Sequence, residues 1–142
     1  MMSLFWSRSF LIFAGLFGAT GVAASAFAAH GLGTLVEPRL VGIFATAAQL
    51  QMIHAVALLG LSMLTTFKFF RTWSVVAGLC FILGILVFSG SLYLRVLIDM
   101  PSMGAITPVG GLAFILGWSA LVMSGWRARA LADEVRPDRS TL

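Results

Sequence analysis

The chain has 142 residues, of which 60% are hydrophobic and only 10% charged, with a net charge of +4 and a mean hydropathy of +1.03. A soluble domain carries about 25% charged residues, so this chain has too few ionisable groups to cover a water-facing surface. The positive balance does not point to nucleic acid, because nearly all the basic residues flank apolar runs as membrane orientation signals do, and Cys80, the single cysteine, excludes an intramolecular disulfide.

Four apolar runs occur in chain order, at about residues 10–29, 44–66, 73–98 and 105–126. Each reaches the ~20 residues needed to cross a hydrocarbon core of about 30 Å at 1.5 Å per residue. No period-2 alternation marks barrel strands. In lipid every backbone polar group must be paired within its segment, so the runs are expected to be helices. The expected fold class is all-α, a four-helix transmembrane bundle over residues 1–127 with a charged tail, 128–142, behind it.

The first run begins behind Arg8 and contains Ala24-Ser25-Ala26 and Ala26-Phe27-Ala28, small-x-small pairs of the kind that end a secretory signal. Its apolar stretch is nevertheless of full membrane length, so it is expected to stay as a helix. Gly15, Gly18, Ala19, Gly21, Ala23, Ala24, Ser25, Ala26, Ala28 and Ala29 make it rich in small residues. The spacing of Gly21, Ser25 and Ala29 predicts close approach of another backbone. Gly78, Gly84 and Gly90 on the third run, and Gly110, Gly111 and Gly117 on the fourth, suit the same role. Packing within one subunit is the leading expectation for these residues, and a homo-oligomer formed through a glycine face is the alternative.

Between the first two runs, Gly31 and Gly33 are suited to ending a helix, and Glu37-Pro38 to starting one. The second helix is therefore expected to begin before the membrane with a short interfacial extension. The tail from Ala128 onward is charged, contains Pro137 and has no apolar face, so it is expected to fray or be disordered. It carries Asp133, Glu134 and Asp138 among its arginines, and its attraction to anionic lipid should be slight.

The basic residues set the orientation. Arg8 precedes the first run, Lys68 and Arg71 separate the second and third, and Arg127, Arg129, Arg136 and Arg139 lie beyond the fourth. The other two connections hold only Arg39, beside Glu37, and Arg95, near Asp99. Cytoplasmic segments carry the excess of Lys and Arg, which places both termini in the cytoplasm of a plasma membrane.

Polar residues inside the spans carry what functional signal there is. Gln49, Gln51 and His54 lie within the second run, where amide and ionisable side chains are expected to face the bundle interior and find partners. Gln51 and His54, three apart, share a helical face, and His54 lies roughly 15 Å below Phe44, near the midplane. Ser89, Ser91 and Tyr93 on the third run and Thr107 on the fourth fall in the same outer half. Together with Gln51 and His54 they make a candidate polar cluster. Three roles suit it: interhelical hydrogen bonding, worth about 0.6 kcal/mol per contact in a membrane; a ligand or quinone-headgroup pocket with His54 and Tyr93 as donors; and a proton or ion path through His54. The first is the leading expectation, since no carboxylate falls within a span. His30, at the outer boundary, suits the carboxyl end of a helix, where the dipole favours a cation. A helix cap is the leading expectation for it over metal binding or pH sensing, since no second ligand lies nearby in sequence.

Phosphate-cradling glycine loops, zinc-protease motifs and nucleophile elbows are absent. Ser89-Gly90-Ser91 lacks the strand-turn-helix setting of a nucleophile. Trp73, Trp118 and Trp126 are expected to be interface anchors or packing residues.

Ala26-Phe27-Ala28-Ala29-His30-Gly31-Leu32, Gln51-Met52-Ile53-His54-Ala55, Phe88-Ser89-Gly90-Ser91-Leu92-Tyr93 and Gly104-Ala105-Ile106-Thr107-Pro108-Val109-Gly110-Gly111 occur in that order. Together they resemble the YgdD-like family of small bacterial inner-membrane proteins of unknown function, which has eukaryotic relatives. The resemblance covers nearly the whole chain except the tail. It implies four inner-membrane helices and supplies no activity. His30, His54, Tyr93 and Thr107 match the family pattern. Ser25 and Ala28 stand where glycine is usual, Ala45 where glutamate is frequent, and Leu50 and Ile53 where tyrosine is frequent, which weakens a catalytic constellation around Gln51 and His54.

The reading of the sequence is thus a multi-pass inner-membrane protein with no cofactor. It acts as a non-enzymatic accessory or scaffold subunit whose partners are the lipid bilayer and either its own copies or a larger membrane protein. The alternative is a small carrier or lipid/quinone-binding protein using the outer-half cluster.

Overall fold

The computed structural model describes residues 2–67 and 70–135, with side chains described over 4–67 and 70–128. Lys68, Arg136, Pro137, Asp138 and Arg139 lie outside the described residues, as do the side chains of Arg129, Asp133 and Glu134. Helix α1 spans Met2–His30 and α2 spans Pro38–Leu64. The third span is built from α3 (Arg71–Gly84), a π-helical turn (Ile85–Ser89) and α4 (Gly90–Leu97). Helix α5 covers Thr107–Val135. Among the described residues there are four helical segments long and apolar enough to cross a membrane, and no strand.

Local chemistry sets the ends. Glu37 is extended, with φ −60° and ψ 149°, and Pro38 opens α2, where its missing N–H leaves no bond unmade. α1 stops at His30 and runs into a short 3-10 turn, Leu32–Thr34, closed by the Leu35 N–H on the Leu32 carbonyl at 2.9 Å. α4 ends before Asp99, whose φ of 48° lies in the left-handed region that aspartate enters more readily than most residues. The chain then takes a second 3-10 turn, Pro101–Ala105, into α5.

Two expectations are corrected here. The third run is not an uninterrupted α-helix. The π-turn inserts an extra residue, rotating α4 by about 100° relative to its place in an unbroken helix. The segment expected to fray from Ala128 is helical as far as Val135, continuing a ladder already propagating.

α2 and the third span occupy the middle of the bundle, with α1 packed chiefly on α2 and α5 chiefly on α3 and the π-turn. The main core gathers Phe10, Leu58, Leu61, Ala77, Phe81, Ile85 and Phe114. A smaller one, at the end holding the two short connections, gathers Ala28, Leu32, Phe44 and Val96. The outer surface is apolar: Leu11, Ile12 and Leu16 of α1, and Leu112, Ile115 and Leu116 of α5, are all more than half exposed. Such a belt suits hydrocarbon and would be a liability in water.

Glycine contacts explain the close helix approach. Phenylalanine rings fill the positions where side chains would stand: Phe10 at Gly78, Phe114 at Gly84 and Phe81 at Gly117, while Gly110 lies against the backbone of Phe88. Gly21 meets Met52. Within the subunit the Gly21, Ser25, Ala29 stripe packs only through its first member, because Ser25 and Ala29 are exposed and the face turned inward is Gly21, Ala24 and Ala28. Four-residue spacing drifts about 40° per step around a helix, which carries Ala29 off the contact. Gly90 meets no neighbouring atom.

Candidate functional site

Of the candidate cluster, Gln51, His54, Ser89 and Ser91 are buried and Tyr93 and Thr107 half-buried, but they form separate bonded groups rather than one cluster. Gln51, 4% exposed, projects from α2 between α1 and α4. Its amide nitrogen donates to the Phe17 carbonyl at 2.8 Å and to Thr20 Oγ1 at 2.7 Å, and Thr20 in turn donates to the Leu16 carbonyl at 2.8 Å. Its amide oxygen accepts from Tyr93 Oη at 2.9 Å. One side chain thereby ties three helices. The Tyr93 ring packs on Phe44, with centroids 4.6 Å apart.

His54 turns away from that group. Its Nδ1–H donates to the Leu50 carbonyl at 2.7 Å, and Nε2 accepts from the Trp118 indole N–H at 3.2 Å. These bonds define the neutral Nδ1–H tautomer. The ring lies parallel to Phe114, with centroids 3.6 Å apart and planes 9° apart, and Phe81 closes another side at 5.1 Å. At 3% exposure, with both nitrogens bonded, the imidazole has no vacant lone pair for a ligand or a metal.

The remaining members pair locally. Ser89 Oγ donates to the Ala47 carbonyl across the bundle at 2.9 Å. Ser91 Oγ lies 2.9 Å from Thr107 Oγ1 and 2.9 Å from the Phe88 carbonyl. Shared helical face therefore did not mean shared partners for Gln51 and His54. The three-residue step turns one toward α1 and α4 and the other toward α5.

Gln49 corrects the expectation that all three polar residues of α2 face inward. It is exposed, and its amide makes no hydrogen bond among the described residues. Sequence reasoning did not single out Thr20, although a hydroxyl inside an apolar run was its signal, and it read Trp118 as an anchor or packing residue. It also missed the Ser74–Ser124 pair, 3.2 Å apart, with Ser124 donating to the Phe70 carbonyl at 3.1 Å.

His30 ends α1, exposed, beside a shallow cleft of about 350 Å³ lined by Ala29, Gly33, Thr34 and Pro38. Its ring makes no hydrogen bond among the described residues, so any interaction with the helix end is through the dipole alone. No group of three or more His, Cys, Asp or Glu among the described residues is placed to hold a metal. Apolar grooves open sideways toward lipid, two of them of similar size. One, of about 480 Å³, runs between α4 and the 3-10 turn and includes Ser91 and Tyr93 in its wall. The other, of about 470 Å³, lies on Met52, Ile53, Val56 and Trp118. His54 lines neither of them.

Comparison with known proteins agrees with this architecture. The family described as "Protein of unknown function (DUF423)" matches residues 24–111, a stretch that contains all four sequence motifs. A UPF0382 membrane protein of Haemophilus influenzae (strain ATCC 51907 / DSM 11121 / KW20 / Rd) is 36% identical over 126 residues, covering 87% of this chain and 98% of the relative. The UPF0382 inner membrane protein YgdD of Escherichia coli (strain K12) is 33% identical over 123 residues, covering 87% and 93%. YwdK of Bacillus subtilis (strain 168), a UPF0382 membrane protein, is 35% identical over 118 residues, covering 82% and 95%. No solved structure matches. Four apolar spans, the four ordered motifs within the matched stretch and near-complete coverage of these membrane proteins agree: the chain belongs to the DUF423 family, the YgdD-like membrane proteins.

Proposed function

We propose that the chain is a non-enzymatic subunit of an inner-membrane assembly, with both termini in the cytoplasm and its interior polar residues serving to lock the bundle. The observation that carries this reading is His54: both ring nitrogens are bonded, to Leu50 and Trp118, and the ring is sealed between aromatic faces. A catalytic or carrier histidine needs a lone pair or an N–H facing a substrate or a water path. Here both are taken by protein.

Native mass spectrometry of wild type and His54→Ala, extracted in their own lipid, tests this reading. Both are expected to carry only exchangeable bulk lipid. A stoichiometric small molecule on wild type that is absent from His54→Ala would sink the assembly role. A second reading, a lipid- or quinone-binding carrier, draws on the 480 Å³ groove with Ser91 and Tyr93 in its wall. It predicts a bound molecule that survives His54→Ala and is lost on filling the groove with Gly90→Leu.

The cytoplasmic placement of the termini has its own check. Leu35, in the first connection and 71% exposed, is expected to react as Leu35→Cys with an impermeant maleimide added outside intact cells. Reaction only after permeabilisation would invert the topology.

A further inference from the structure

Gln49 stands on the exposed, lipid-facing side of α2, midway between Phe44 at the outer boundary and His54 near the midplane, hence about 7.5 Å from each along the helix. The outer edge of the hydrocarbon core therefore lies about 7.5 Å away along the helix, deeper than a glutamine side chain, shorter than lysine or arginine, reaches by snorkelling. Its neighbour Thr46, also exposed, satisfies itself on the Gly42 carbonyl at 2.9 Å. Gln49 has no such bond among the described residues, so an amide is left within a hydrocarbon-facing surface, where polar groups persist by finding partners.

The residues around it form a regular seam. Gly42, Thr46, Gln49, Ile53, Val56 and Gly60 are all exposed, and they succeed one another at steps of 4, 3, 4, 3 and 4. That alternation is the heptad signature of two helices supercoiling about each other, in which one polar residue at the seam fixes register and partner number. Gly42 and Gly60, at opposite ends of the seam, each have open space where a side chain would stand, so a second backbone can come close at both ends.

We propose that α2 is the self-association face of this protein, two copies pairing in parallel through this seam with Gln49 bonded to Gln49 of the second copy. The amide selects this occupant. It is both donor and acceptor, so a two-fold pair satisfies itself with two reciprocal N–H···O bonds. Copies inserted in one orientation bring the residue opposite itself at the same depth. A different membrane protein would need an independent polar group at that depth. The proposal rests on the assembly reading and names the partner as a second copy.

The test uses the full chain with Cys80→Ala, leaving no other cysteine, in its own membranes. Single cysteines at Thr46, Ile53 and Gly60 are expected to cross-link on mild oxidation. Leu112→Cys, equally lipid-facing at 59% exposure but on α5, is expected not to. In vesicles of bacterial phospholipid, energy transfer between labelled copies should show Gln49→Leu weakening self-association about three- to thirtyfold, the range of one or two interhelical hydrogen bonds, and Gln49→Asn retaining most of it. Equal cross-linking at Leu112, no cross-linking on α2, or association unchanged by Gln49→Leu overturns the proposal. A monomeric chain still recovered with another membrane protein overturns self-association while leaving the assembly role. A stoichiometric small molecule dependent on His54 overturns that role while leaving the seam intact.

Discussion

Gly110→Val should destabilise the folded bundle by about 3 kcal/mol, near the upper end of overpacking effects, whereas Gly90→Ala should be neutral or stabilising by up to about 1 kcal/mol. A side-chain carbon at Gly110 would lie 2.7 Å from both Cα and Cβ of Phe88 and nearer still to its backbone nitrogen. A flexible side chain could swing aside. The backbone of a π-turn buried against α5 cannot, so the helices must part. That separation disturbs Phe88, Phe114 and Phe81, which fill the glycine positions between the third span and α5. Gly90, two residues beyond Phe88 on the third span, has nothing within 4 Å of the position a side chain would take, so alanine there gains helix propensity without a clash. Reversible unfolding in bicelles by added denaturing detergent measures both. Equal stability of the two variants would refute the close contact between α5 and the π-turn.

That contact also shows where the sequence stopped being informative. The four spans were legible because lipid demands long apolar helices, and the boundary at Glu37-Pro38 was legible because proline suits a first helical turn. Gly78, Gly84, Gly110 and Gly117 were marked as packing residues and do host aromatic or backbone neighbours. The π-turn left no such mark. Ile85–Ser89 reads Ile-Leu-Val-Phe-Ser, and nothing in that composition separates a π-turn from an α-turn. Yet the turn changes which face Ser89, Ser91 and Tyr93 present, and so breaks a predicted single cluster into pairs. Periodicity likewise placed Gln51 and His54 on one face but could not say that α4 and α5 would divide it. Gln49 was misplaced for a related reason. Burial was inferred from polarity, and a polar residue can also find its partner outside the subunit.

Gln51→Leu should cost about 2 kcal/mol of bundle stability, the sum of three interhelical contacts at about 0.6 kcal/mol each. Tyr93→Phe, which removes one contact, should cost about 0.6 kcal/mol. Leucine matches glutamine closely in size, so packing beside Gly21 changes little. What changes is that Thr20 and the Phe17 carbonyl lose their donor and Tyr93 Oη loses its acceptor. No water is at hand to replace them in the membrane interior. Because Tyr93 bonds to Gln51 itself, the double variant should cost less than the sum of the single ones, by about the energy of that one bond. Strict additivity would show that the 2.9 Å contact contributes nothing. Gln49→Leu supplies the contrast. Two residues away on the same helix but facing outward, it should leave subunit stability within about 0.5 kcal/mol of wild type and act on association instead. The same chemical change two residues apart then separates the glutamine that holds the subunit together from the one that holds two subunits to each other.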